Sequence, residues 1–253
     1  MVGLVLLAGL ILPLFLKAGP LQQSADALAP AWTGAHLFGT DEVGRDILAR
    51  VLAGIRLDAV LVVVAVPISV VLGTALGLLS VANPLAGDVA QWIFNLLLGF
   101  PGVVMGIAVS VAIAPGKTAI IVAMVLATIP AFGRQARITA MAELSRDYVA
   151  AATVAGTPRR EIARHHILPN VLDTVIARIA PAVSHAVLLE GALSVVGLGI
   201  QPPQASLGQM IASGSQYLSD APMYALAPLV AVFLAVMGLS LIGDALNDAV
   251  LRR

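Results

Sequence analysis

The sequence predicts an all-α, polytopic membrane protein with six transmembrane helices and a short extra-membrane helix between the fourth and fifth. Three observations carry that expectation. Of 253 residues, 59% are hydrophobic and only 11% charged, against roughly 25% charged in soluble domains, and the mean hydropathy is +0.98. Apolar runs recur at lengths suited to a hydrocarbon core of about 30 Å, which takes roughly 20 residues of helix. A single polar island, residues 134–170, interrupts them with six arginines, Arg134, Arg137, Arg146, Arg159, Arg160 and Arg164. The 14 basic and 14 acidic side chains cancel, so no bulk field points toward nucleic acid. Cysteine is absent, which excludes a disulfide framework, a thiolate metal site and a cysteine nucleophile together.

The expected spans are Val2–Leu16, Ala59–Val81, Val89–Ala114, Ala119–Phe132, Val171–Val196 and Tyr224–Leu246. The first has neither a basic leading region nor a small-residue cleavage site, so it reads as an uncleaved helix and not as a signal peptide. After it, in His36 to Arg50, Thr40 is placed to cap a helix whose first turn carries Asp41 and Glu42. Ile47, Leu48, Val51 and Leu52 follow at helical spacing. This predicts an interfacial amphipathic helix that fixes the entry of the second span, with Arg56 and Asp58 continuing its polar edge. The organisation expected is residues 1–58 as first span plus amphipathic segment, and 59–253 as a membrane core holding the polar loop 134–170.

Within the spans, Gly73-x-x-x-Gly77 and Gly102-x-x-x-Gly106 are packing signals, because small residues four apart let helix backbones approach in lipid. Pro67, Pro101, Pro130 and Pro181 remove backbone hydrogen bonds and mark candidate kinks. Most intramembrane ionisable groups fall in the fifth span: Asp173 and Arg178, placed to neutralise one another, and His185 and Glu190 further along. Orientation follows the basic residues of the loops. With six spans, the six arginines of the island share a side with Arg252 and Arg253, while the opposite loops carry Lys117, Arg45 and Arg50, with Lys17 at a boundary. Both termini and the island are therefore expected on the cytoplasmic side.

Several chemistries fit poorly. His165 and His166 are adjacent, so a helix points them about 100° apart, unlike metal ligands at i and i+4. Gly116-Lys117-Thr118 resembles the end of a phosphate loop, but Val111 stands where that motif needs glycine. No serine, histidine and acid set converges beyond Ser184, His185 and Glu190 on one helix, so no enzyme is expected. An ATP-independent secondary transporter or channel would show an internal repeat with interrupted helices, and none is found. What the island does offer is a short Ala-rich helix, Asp147 to Ala155, stopped by Gly156 and Pro158, a shape suited to docking into another protein.

A set of motifs in order makes the chain resemble the inner-membrane permease subunit of ABC importers of the dipeptide, oligopeptide and nickel class. They are Phe38 to Asp46, Phe100-Pro101, Tyr148 to Gly156, His166-Ile167-Leu168-Pro169-Asn170, Leu193 to Pro203, and Gly243 to Ala249. The resemblance implies a type I importer permease fold in a prokaryotic plasma membrane. It implies a coupling helix that seats in an ATPase, formed by Asp147, Tyr148, Val149, Ala150, Ala151, Ala152, Gly156, Thr157 and Pro158. Phe100, Pro101, His185 and Glu190 become candidates for the pathway or gate. The implied partners are a second, homologous permease, two ABC ATPases that bind the ATP and magnesium, and an extracytoplasmic substrate-binding protein. No cofactor or metal is expected in this chain. Peptides are the favoured solute, with nickel or another small solute as the alternative. The chain departs from the family at Ala150, where the coupling motif has an acidic residue, at Asn95, usually aspartate, and at Leu207, commonly tryptophan.

Overall fold

The computed structural model describes residues 19–33 and 36–251. The expected span Val2–Leu16 lies outside the described residues, as do Lys17, Arg252 and Arg253. The helices run in the order α1 Ile47–Ala82, α2 Pro84–Leu98, α3 Gly102–Ile113, α4 Lys117–Leu144, α5 Asp147–Val154 and α6 Arg159–Ile162. A π-helical turn, Ala163–Ile167, leads into α7 Leu168–Ala177, followed by α8 Ile179–Val195, α9 Leu207–Gly214 and α10 Met223–Leu251. Among the described residues there is no strand, only isolated bridges such as Gln23 to Arg45.

Three helices, α1, α4 and α10, are long and apolar enough to cross a membrane. Two further pairs, α2 with α3 and Arg160–Ala177 with α8, pass the same test together and are bent by more than 40° at a short break. The five expected spans that fall on described residues thus each have a helix or a bent pair. The first break sits at Gly99-Phe100-Pro101, where the Gly99 amide closes α2 on the carbonyls of Asn95 and Leu96 and Pro101 supplies no amide to continue. Pro67, Pro130 and Pro228 lie inside continuous helices instead.

The sequence expectation for residues 40–58 is corrected. Thr40 does not cap a helix; its hydroxyl accepts from the Ala29 amide and donates to the Asp26 carbonyl. The cap is Asp46, whose Oδ1 accepts from the Ala49 amide at 2.8 Å. No separate interfacial helix forms either, since α1 runs without interruption from Ile47 into the span. The reason is tertiary: the stripe Ile47, Val51 and Leu52 is buried in a core that makes continuation favourable.

The described chain packs as two compact units. The first comprises the chain up to Val64, Val103–Met124 and Ser184–Leu239. Its core joins Ile47, Val51, Leu52 and Ile55 of α1 to Leu207 and Met210 of α9 and to Tyr224 and Ala231 of α10. Close approach depends on small residues: a Cβ on Gly106 would lie 2.7 Å from Leu193, and one on Gly208 would lie 2.6 Å from the Gly191 carbonyl. The second unit comprises Ala65–Gly102, Val125–Val183 and the chain from Ser240. Here Gly73 and Gly77 of α1 face α4, with Ile129 and Phe132 against the first and Gly133 and Ala136 against the second. Phe94 of α2 is fully buried with its ring on Gly133. Both units leave large apolar side chains outward, such as Val63 and Trp92, as helices in lipid do.

Candidate coupling and pathway sites

The segment read from sequence as a coupling helix is α5. Arg146 precedes it in extended conformation, and the Arg146 carbonyl accepts from the amides of Val149 and Ala150. Asp147 stands in the first turn, where a carboxylate complements the positive helix end. The exit is a full Schellman motif: the Thr157 amide donates to the Ala152 carbonyl at 3.0 Å and the Gly156 amide to the Thr153 carbonyl at 3.1 Å. Gly156 takes φ +81°, and nothing lies within 4 Å of where its Cβ would be. That left-handed turn is the reason for glycine at this position. Pro158 then begins a new turn, its carbonyl accepting from Glu161 and Ile162. Val149 is the anchor of the helix, buried at 6% exposure, whereas Val154 at its far end is 90% exposed. Ala150, Ala151 and Gly156 are exposed as well, so among the described residues the outer face is small, nearly uncharged and uncovered.

Sequence reasoning missed what holds α5 in place. Glu143, in the last turn of α4, is 6% exposed. Its carboxylate accepts from the Tyr148 hydroxyl, from Asn170 Nδ2 at 3.2 Å and from Arg146 Nε at 3.0 Å. Asn170 spends a second proton on the His166 carbonyl at 2.9 Å, and the His166 ring tilts against Tyr148 with centroids 5.4 Å apart. Partial burial, and then the Glu143 carboxylate, push the Tyr148 phenol above its ordinary range. The two histidines part company here: His166 meets Tyr148, while His165 Nδ1 lies 3.2 Å from the Glu161 carbonyl. The one signal in the sequence is that Tyr148 and Asn170 both belong to motif segments; Glu143 carries none.

Of the pathway candidates, Phe100 and Pro101 belong to the second unit and His185 and Glu190 to the first. Phe100 is 54% exposed at the break between α2 and α3, with Pro101 beside it and also exposed. His185 is exposed on α8 while Glu190 is buried at 1%, since five residues of helix turn a side chain through about 140°. Glu190 accepts from the hydroxyls of Ser194 at 2.6 Å and Ser206 at 2.7 Å. Its acidic neighbour is Asp58, which is 5% exposed and so belongs to the interior of the first unit, not to a polar edge. Asp173 and Arg178 are not paired, for the same angular reason; the Arg178 guanidinium donates to Gln135 Oε1 at 3.3 Å. Two further arginines of the island brace the second unit: Arg134 donates to Asn95 Oδ1 at 2.7 Å and Arg137 to the Ser80 carbonyl at 2.8 Å. Asn95, which departs from the usual aspartate, therefore still supplies an acceptor.

In the first unit, Phe38 to Asp46 forms a polar cap. Asp41 accepts from the amides of Val43 and Arg45 and pairs with Arg45 at 2.6 Å and Arg50 at 3.3 Å. His36 Nδ1 lies 2.7 Å from Asp46 Oδ2, and Arg50 Nη1 reaches the Pro203 carbonyl at 3.4 Å. An open cleft of ≈ 460 Å³ nearby in the same unit is lined by Ile113 to Thr118 with Ile200, Gln201 and Gln204.

Helices in this order define the class of α-helical importer permeases. A solved structure of the MetNI methionine ABC transporter, described as inward facing, overlaps this chain with TM-score 0.65 at 19% identity, covering 79% of this chain and 96% of that one. Residues 65–253 match the family described as binding-protein-dependent transport system inner membrane component, and the chain belongs to that family. It is thus a multi-pass transport component of the inner membrane. Among its relatives are the di/tripeptide transport system permease DppC of Pseudomonas aeruginosa, 33% identical across 97% of this chain and 84% of that protein. Another is the probable D,D-dipeptide transport system permease DdpC of Escherichia coli, 35% identical across 85% of this chain and 73% of that protein.

Proposed function

We infer that this chain is one half of the translocation pathway of an ATP-driven peptide importer. The observation that carries the reading is α5: a short helix with an exposed, small-residue face, closed by a left-handed glycine and held at its root by buried side chains. Such a helix fits a cleft in an ATPase subunit. The peptide assignment is supported by the di/tripeptide and D,D-dipeptide permeases among its relatives, more than 30% identical over most of the chain. In this reading a second, homologous permease completes the pathway, two ABC ATPases bind ATP and magnesium and seat against residues 147–158, and an extracytoplasmic binding protein delivers the solute. Both termini and α5 face the cytoplasm, following the basic residues of the loops. Work is done because ATP-bound and ATP-free partners favour different permease conformations, which the contact at α5 biases.

The test is reconstitution of the complete complex in liposomes with labelled dialanine and, separately, nickel. ATP-dependent accumulation of dialanine supports the reading. Uptake without ATP, or of nickel alone, overturns it.

A further inference from the structure

We propose that Glu143 is the positioning residue that fixes the angle of α5 to α4. The inference rests on reading α5 as the coupling helix.

Between the end of α4 at Leu144 and the start of α5 at Asp147 stand only Ser145 and Arg146. Their backbone bonds are local, Ser145 to the Ala142 carbonyl at 3.3 Å and Arg146 to the Glu143 carbonyl at 3.2 Å, and Arg146 is extended. A link that short reverses the chain but does not by itself fix the torsions across it. The Glu143 carboxylate does. One oxygen takes Arg146, from the link; the other takes Tyr148, from α5, and Asn170, from α7. His166 closes the ring of contacts, its carbonyl on Asn170 and its imidazole against Tyr148. Three donors on one buried carboxylate make charge-assisted bonds, the strong kind. An ionised carboxylate is acceptor-only, with lone pairs enough to serve all three donors at once. Force arriving at α5 is then passed to both α4 and α7, with the link unable to flex.

Two variants separate this from a general loss of structure. Glu143→Gln keeps the shape and places an amide donor against one of the three donors. Tyr148→Phe removes one hydroxyl and leaves the ring against His166. In liposomes holding the complete complex, ATP hydrolysis and labelled dialanine uptake are measured together. The expected result is that both variants keep their ATPases on purification while the dialanine moved per ATP falls roughly fivefold to tenfold for Glu143→Gln, the scale of one ordinary net hydrogen bond, and less for Tyr148→Phe. The double variant should lose less than the two single losses combined, because both changes act on the one network of Glu143, Tyr148 and Asn170. An unchanged ratio in Tyr148→Phe together with Glu143→Gln overturns the proposal. If Glu143→Gln does not fold, Tyr148→Phe decides alone. Gly156→Pro tests the underlying reading separately: if it leaves ATPase association and uptake intact, α5 is not the coupling helix and the role given to Glu143 falls with it.

Discussion

Replacing Gly77 by alanine should destabilise the second unit even though alanine is the better helix former. A Cβ at Gly77 would lie 2.4 Å from the Gly133 carbonyl oxygen and 2.9 Å from Ala136 Cβ, where ordinary contact begins near 3.4 Å. Both neighbours are fixed on the α4 backbone and neither can rotate aside, so α1 and α4 must separate by up to about 1 Å. Overpacking of this kind costs about 1–3 kcal/mol, whereas the helix-propensity gain is at most about 1 kcal/mol. A clash this deep against backbone falls in the upper part of the overpacking range, about 2–3 kcal/mol, so the net loss is about 1–2 kcal/mol, or a fall in Tm of about 2–8 °C for a chain of this size. Gly191→Ala is the internal comparison, since nothing lies within 4 Å of its Cβ position and its φ is ordinary; there the propensity term stands alone and Tm should hold or rise. Thermal unfolding of both purified variants in one detergent decides. A Gly77→Ala protein that melts at or above wild type, or a Gly191→Ala protein that falls as far, would refute the packing argument.

Phe94→Ala should cost about 3–5 kcal/mol in the same melting assay, as full burial of an aromatic side chain implies, and a change under 1 kcal/mol would show that Gly133 does not need the ring. Gly156→Ala meets no atoms but must hold φ +81°, a strain of about 1–2 kcal/mol; uptake in liposomes should fall partially, and Gly156→Pro should abolish coupling while membrane insertion, read by fractionation, stays intact. The Tyr148 phenol is raised above the usual 10.0 by burial and by Glu143. A raised folded value means that its contribution is complete below the unfolded value and is lost as pH climbs through the folded one. The absorbance titration of wild type minus Tyr148→Phe should therefore be centred above 10, and a midpoint at or below it would contradict the bond to Glu143.

Much of the architecture was legible because it is local. The five apolar runs on described residues, the break at Phe100-Pro101 and the stop at Gly156 each depend on a few neighbouring side chains. What the chain concealed depends on distant ones. Thr40 has the chemistry of a helix cap, but Asp26 and the Ala29 amide claim its hydroxyl, and Asp46 caps instead. Asp58 reads as the polar edge of a surface helix until Glu190 is found as its neighbour. Glu143 carries no local pattern at all, since one of its donors, Asn170, lies 27 residues away. Asp173 and Arg178 show the opposite error, a pair inferred from sequence proximity that helix geometry keeps apart.

The burial of Ile47, Val51 and Leu52 by Leu207, Met210 and Tyr224 bears on the order in which the protein is made. The first three turns of α1 leave the ribosome well before the residues that cover them, which come from α9 and the start of α10. Until those arrive, an apolar stripe stands open beside the polar side chains of Arg50 and Asp58. The nascent chain therefore passes through a long interval in which the core of the first unit is unfinished. A chaperone or quality-control protease that inspects this face would act before completion, and a ribosome stalled before Tyr224 would leave it exposed.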